Sequence, residues 1–236
     1  MTDPLPEPHE ITEEDRKMLH RAAIGLRRDF FDGIFGIETI ERFLNESAED
    51  LASRATIYNP YRCVLWERFA HERLDALAKA EGLIGGGMPG VLFLCVHNAG
   101  RSQMALGWFN RLAGDRAMAW SGGSEPTNAV NQVAVEAMRE LGIDISGGFP
   151  KPWTDEALRA ADVVVTMGCG DACPLVPGKK YEDWKVEDPS GRSIDEVRAI
   201  RDEIGQRVVD LLGELGIAPA LEGLAGWTPS RMPTNQ

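Results

Sequence analysis

From Gly82 to Gly90 the chain reads Gly-Leu-Ile-Gly-Gly-Gly-Met-Pro-Gly, and no helix or strand survives such a stretch. Glycine loses the most backbone freedom on ordering and proline lacks the N–H a ladder needs, so the segment reads as a hinge. The apolar residues on its two sides follow different periods. The chain is therefore expected to fold as two parts: residues 1–82, a linker at 83–90, then 91–218, with 219–236 as a flexible tail.

Before the hinge the pattern is helical. Residues 1–10 carry three prolines and several charges and read as a lead-in. Thr12 followed by Glu13, Glu14 and Asp15 has the chemistry of an N-cap and an acidic first turn. Met18, Leu19, Ala22, Ala23, Leu26 and Phe30 then recur with a helical period. A second helix fits Ile37 to Leu51 and a third runs from about Pro60 to Ala80, with Cys63 on its apolar side as packing. Three such helices bury little alone, so a small three-helix bundle, completed by a second copy, is the natural reading. His9, His20 and His71 are scattered and have no ligand spacing.

After the hinge, buried strands alternate with helices. Val91–Val96 is an unbroken apolar run, as a parallel strand covered on both faces requires. A helix from Ser102 to about Ala113, a strand near Ala117–Trp120 and a helix at Ala129–Leu141 follow. Further strands fit Val163–Met167 and Lys180–Val186, and a last helix runs from Ile194 to Leu215. This order predicts an α/β class: an open, mainly parallel four-stranded sheet flanked by helices, preceded by the all-α bundle.

The formal net charge of −12 disfavours nucleic acid and anionic membranes as partners. An anionic substrate must then be held by local donors. No run reaches the roughly 20 apolar residues of a membrane span, and four cysteines are too few for a disulfide scaffold, so a reducing cytoplasm is expected.

One segment carries chemistry. Val91–Cys95 delivers a thiol to the C-terminal edge of a buried strand, where open α/β sheets bind ligands. Seven residues later a helix begins at Ser102. The intervening loop, Val96-His97-Asn98-Ala99-Gly100-Arg101, can turn its amide N–H groups inward as a nest for a tetrahedral anion. Arg101 adds a permanent two-pronged cation, and Ser102 can donate to the sulfur. The same donors stabilise a thiolate, so Cys95 is expected to be ionised near neutral pH. Asn98 tolerates unusual backbone angles. His97 reads as a loop wall rather than a base or ligand. The bland alternative is a buried structural cysteine followed by a surface arginine.

Two further features stand at the same sheet edge. Asp188-Pro189 lies before the last helix, where proline can hold a carboxylate over the site; alone, the pair would mark a turn. Cys169 and Cys173 follow the strand ending at Met167, close enough in sequence to bridge. A zinc half-site or two inert thiols are the alternatives, and no neighbouring residues supply the two further ligands zinc needs, so no metal is expected.

Cys95 to Ser102, continuing into Gln103-Met104-Ala105, resembles the phosphate loop of the low-molecular-weight protein tyrosine phosphatases. It is closer to the arsenate reductases that share their fold, whose loop commonly continues Arg-Ser-Gln-Met-Ala. The likeness covers roughly residues 90–216, including Ser121-Gly122-Gly123-Ser124-Glu125-Pro126 and Asp188-Pro189. It departs at His97, where the family usually has glycine, and at Gly100, where many relatives carry a second cysteine.

The resemblance implies reduction of arsenate to arsenite. Cys95 would attack arsenic, Asp188 would protonate the departing oxygen, and Cys169 then Cys173 would carry the oxidation outwards. No cofactor would be bound. Electrons would come from thioredoxin, or from mycothiol with a mycoredoxin as an arsenate-transferase alternative. A hydrolytic phosphatase is the second reading, disfavoured because Ser190-Gly191-Arg192 lacks the aromatics that sandwich a phosphotyrosine. A non-catalytic oxyanion sensor is the third. The N-terminal bundle resembles the extension of actinobacterial-type arsenate reductases, which implies a homodimer, with a docking or sensing module as the runner-up.

Overall fold

The computed structural model describes residues 7, 9–55, 59–168 and 176–230, and they fall into two units, residues 1–86 and 87–236. In the first unit Thr12 caps helix α1 (Glu13–Asp29). Its hydroxyl accepts from the Asp15 N–H while the Asp15 carboxylate accepts from the Thr12 N–H, a reciprocal capping box. Helix α2 spans Ile37–Arg54 and α3 spans Arg62–Ala80. Their inward stripes, among them Leu19, Leu26, Ile40, Leu44, Trp66 and Leu74, form one apolar cluster.

Asp15 does more than cap. It is buried and forms an ion pair with Arg62 at the start of α3, with Nη2 to Oδ2 at 2.5 Å, and its other oxygen accepts from the Cys63 thiol at 3.2 Å. Burial pulls the Asp15 carboxyl up, but the hydrogen bonds from Thr12, Cys63 and Arg62 outweigh it and leave it below its ordinary value. Burial and the Asp15 carboxylate push the half-buried Cys63 thiol up to about 12.

The second unit is a four-stranded sheet, all parallel, in the order β2-β1-β3-β4. Its strands are β1 (Gly90–Cys95), β2 (Met118–Gly123), β3 (Val163–Met167) and β4 (Lys180–Asp183). Around them stand α4 (Arg101–Ala113), α5 (Gln132–Arg139), α6 (Asp155–Ala160) and α7 (Ile194–Glu214). Every residue of β1 is buried, as its unbroken apolar run requires. Val91, Phe93 and Cys95 point into the cluster built by α4, α5 and α7, where Phe93 meets the Phe109 and Trp184 rings at 5.7 and 5.8 Å. Burying a side chain of this size stabilises by roughly 1.5–3 kcal/mol. With β1 central, the chain reverses its direction of winding between β1 and β3, so a crevice opens at the carboxyl end of β1.

The sheet, expected as mainly parallel, is parallel throughout. Two expectations need correction. Strand β2 continues past Trp120 to Gly123, because Gly122 lets the Trp153 backbone cross it; a Cβ there would meet Trp153 at 2.6 Å. Residues 219–230, part of the expected flexible tail, are packed. Trp227 stacks on Trp108 at 4.4 Å, Leu224 joins the core, and Arg111 and Arg116 donate to the carbonyls of Ala220 and Ala218. The small and polar residues of that segment hid the anchors Leu224 and Trp227, well beyond the end of α7 at Glu214. The short α6, capped by Thr154, lies where the apolar pattern shows no element. Among the described residues no helix is long and apolar enough to cross a membrane.

Candidate active site

Cys95 is the last residue of β1, paired with Gly123 of β2 and Met167 of β3. The loop that follows wraps around its sulfur. The Asn98 N–H donates to Cys95 Sγ at 3.2 Å, and Ser102 Oγ lies 3.0 Å from it. Asn98 makes this possible by taking a left-handed φ of 47°, a conformation its short amide side chain tolerates.

The polarity of the serine contact follows from the hydrogen bonds behind it. The Lys151 N–H, which can only donate, points at Asn98 Oδ1 at 3.0 Å. The Asn98 amide is thereby oriented, and its Nδ2 donates to Ser102 Oγ at 2.9 Å. Gln103 Nε2 also donates to Asn98 Oδ1, at 3.1 Å. The Ser102 hydroxyl, already an acceptor from Asn98, has its one proton left for Cys95. The sulfur therefore receives two donors and is arranged as an acceptor, which is the role of a thiolate.

The loop carbonyls face elsewhere. Val96, His97 and Ala99 accept from the N–H groups of Glu125, Thr127 and Asn131, all in the β2–α5 connection. Asn98 O accepts from Gln103 and Gly100 O from Met104. The amides of His97, Ala99 and Gly100 take no protein acceptor among the described residues. The result is a cup of donors with its carbonyls turned outward.

Arg101 opens α4 and is nearly buried, at 9% exposure. Its Nη2 donates to Asp188 Oδ2 at 2.6 Å. Gly168, just past β3, is glycine for two reasons: its φ is +77°, and a Cβ would stand 2.8 Å from Arg101 Nη1. Gly100 is equally constrained, since a Cβ would lie 2.4 Å from Pro189 Cγ. Pro189 thus packs on the loop and carries Asp188 to the arginine. Asn131, the N-cap of α5, donates to the Pro189 carbonyl at 3.4 Å and braces this closure.

Cys95, Arg101 and Asp188 line a cavity of about 190 Å³, with His97, Ala99 and Gly100 on its wall. Asn98 and Ser102 are fully buried behind the sulfur, so their side chains shape the site rather than meet a ligand. Val96 does not line the cavity either. Thr127, Ala129, Asn131, Pro189 and Ser190 complete the wall. Asn131 had a legible sign in the sequence, as an Asn before an apolar helical run; Thr127 had none. Cys169 and Cys173 lie outside the described residues.

The low molecular weight phosphotyrosine protein phosphatase family matches residues 90–218, more than half of the chain. The chain belongs to this family. The protein-tyrosine-phosphatase-like N-terminal domain matches residues 19–78 of the bundle. This family member is 43% identical over 122 residues to arsenate reductase 2 of Staphylococcus saprophyticus, an alignment spanning 50% of this chain and 92% of that one. With arsenate reductase 2 of Staphylococcus epidermidis it shares 42% over 118 residues, spanning 48% and 88%. The thioredoxin-dependent arsenate reductase of Corynebacterium glutamicum superposes with a TM-score of 0.74 and 42% identity, covering 85% of this chain and 97% of that one. That coverage exceeds what the α/β unit alone could supply, so the likeness extends into the bundle. The family, the fold and these relatives establish the chain as an enzyme.

Proposed function

We propose that this enzyme reduces arsenate to arsenite. The observation that carries the reading is the oriented donor set on Cys95 Sγ beside the Arg101 guanidinium, in a cavity of about 190 Å³. A space of that size suits a small tetrahedral oxyanion. Among the described residues its walls hold no Phe, Tyr or Trp to sandwich a phosphotyrosine ring, which favours arsenate over an aryl phosphate. The named relatives at 42–43% identity support the same choice.

In this reading the Cys95 thiolate attacks arsenic while Arg101 and the loop amides hold the remaining oxygens. One As–O bond breaks and the departing oxygen takes a proton from Asp188, since an oxide leaves poorly. The Cys169 thiolate then attacks Cys95 Sγ. The S–As bond pair passes to arsenic, arsenite leaves, and a Cys95–Cys169 disulfide forms. Cys173 attacks Cys169, frees Cys95, and leaves a Cys169–Cys173 disulfide for an external dithiol. The pairing of Met167 with Cys95 supports this order, because the chain leaves β3 beside the nucleophile only two residues before Cys169.

Thioredoxin is the proposed reductant, by likeness to the thioredoxin-dependent relative. Mycothiol with a mycoredoxin is the alternative. The bundle is proposed to join two copies, which suits its exposed Met18, Ile24, Phe30, Tyr61 and Val64. Light scattering on the full chain reads that directly. A reducing, cytoplasmic setting fits a cascade of free thiols.

The test is arsenate-dependent NADPH oxidation with thioredoxin and thioredoxin reductase, set beside hydrolysis of para-nitrophenyl phosphate. Turnover should require arsenate and vanish in Cys173→Ser. Turnover that survives in that variant with mycothiol and mycoredoxin would reassign the reductant. Strong hydrolysis without arsenate turnover in either thiol system would make the enzyme a phosphatase.

A further inference from the structure

His97 stands on the rim of the cavity, exposed, on the same wall as Cys95 and Arg101. Two bonds tie it to the β2–α5 connection. Its carbonyl accepts from the Thr127 N–H at 3.2 Å, and its ring Nδ1 lies 3.1 Å from the Glu125 carbonyl oxygen. A carbonyl oxygen can only accept, so Nδ1 carries a hydrogen in either charge state of the ring. In the neutral ring the remaining nitrogen, Nε2, then holds a lone pair. In the charged ring Nε2 holds a second N–H.

That difference reverses what the ring offers to an anion. A lone pair repels an oxyanion's oxygen; an N–H with a full positive charge attracts it. We infer that His97 is a specificity-determining residue whose imidazolium Nε2–H binds an oxygen of the oxyanion held at Cys95. The inference rests on the proposed oxyanion chemistry and deepens it by making capture of the anion depend on pH. The titratable and charged groups that share the cavity with the ring are Cys95 at the end of β1, Arg101 at the start of α4 and Asp188 before α7, while the Glu125 backbone carbonyl holds the ring. Asp188 already engages Arg101 at 2.6 Å. A bound dianion attracts a charged ring, so binding takes up protons.

The test uses sulfate, which keeps its charge from pH 5.5 to 8.5 and does not react. Its affinity is measured by titration calorimetry in the full-length wild type and in His97→Asn. The asparagine amide can still donate to the Glu125 carbonyl, so the loop keeps its tether while the titrating group is gone. Lowering the pH across this range should tighten sulfate on the wild type about five- to tenfold more than on the variant. Calorimetry in buffers of different ionisation heat should show greater proton uptake by the wild type.

Parallel pH curves for the two proteins would overturn the inference, as would an equal loss of affinity in the variant at every pH, which marks a purely structural brace. Failure of the wild type to bind sulfate would overturn it too. Absence of arsenate turnover with the sulfate difference intact would remove the proposed function and leave the role of His97 standing.

Discussion

Asn98 Nδ2 stands 2.9 Å from Ser102 Oγ, and because the Lys151 N–H claims Asn98 Oδ1, that bond runs in one direction only. The serine must accept from the asparagine and pass its proton towards Cys95. The side chain that sets the sulfur's environment is thus one residue removed from it.

This direction is testable by charge without a change of shape. In Asn98→Asp both side-chain oxygens accept, so the Ser102 hydroxyl is drawn to the aspartate and away from the sulfur. We expect a fall of about 100-fold in kcat/KM for Asn98→Asp and of about 10-fold for Ser102→Ala, read by steady-state arsenate turnover. A fall in Asn98→Asp no greater than in Asn98→Ala would refute the directional argument.

Gly123 should tolerate nothing larger. A Cβ there would sit 2.6 Å from the Val96 carbonyl oxygen and 2.9 Å from the Asn98 N–H nitrogen, both loop backbone. Gly123→Ala is expected to lower kcat/KM more than 10-fold by shifting the cup, and to lower Tm by several degrees. Gly114→Ala is the control, for its added Cβ meets nothing within 4 Å although its φ of +56° adds strain. It should cost stability and leave kcat/KM near wild type.

Asp15 and Arg62 have side chains only 5% and 8% exposed. Neutralising Asp15 removes the charge opposite a buried guanidinium, so Asp15→Asn is expected to cost about 3 kcal/mol of stability, measured by urea unfolding. The Asp15 carboxyl lies below its ordinary value in the folded chain. A depressed carboxyl contributes stability that is complete above the unfolded value near 4 and is lost as pH falls through the folded value. Acid unfolding of the wild type below about pH 4 should therefore be steeper than that of Asp15→Asn.

Cys63 and Cys95 should differ sharply in reactivity. With its thiol pushed up to about 12 by burial and the Asp15 carboxylate, Cys63 stays protonated at pH 8. Cys63→Ser should leave arsenate turnover unchanged. Alkylation by iodoacetamide at pH 8, read by mass spectrometry, should modify Cys95 ahead of Cys63, and arsenate or phosphate should protect only Cys95. Prompt labelling of Cys63 would sink this assignment.

Much of the site was legible in the chain because its parts are close in sequence. The apolar run Val91–Cys95 required a doubly covered strand, the helix expected from Ser102 opens one residue earlier at Arg101, and the loop between them has the length to curl around an anion. Asp188 was placed by its proline. The three helices of the bundle were equally plain, down to the Thr12 cap. Thr127 and Lys151 were invisible because nothing local distinguishes a loop residue that a neighbouring strand brings to the site. The packing of residues 219–230 was hidden for the same reason: Trp227 acquires meaning only beside Trp108.

The sequence by itself determined the order and type of most elements, and it singled out the candidate thiol with its cation, since these follow from periodicity, from turn chemistry and from what a thiolate needs nearby. Only the tertiary structure decided which way each hydrogen bond runs. Asn98 becomes a directed donor when Lys151, 53 residues away in the chain, supplies its N–H, and Asp15 becomes an ion-pair partner when α3 packs beside α1. Polarity of this kind depends on which donor and acceptor meet across the fold, and no local pattern of side chains records that meeting.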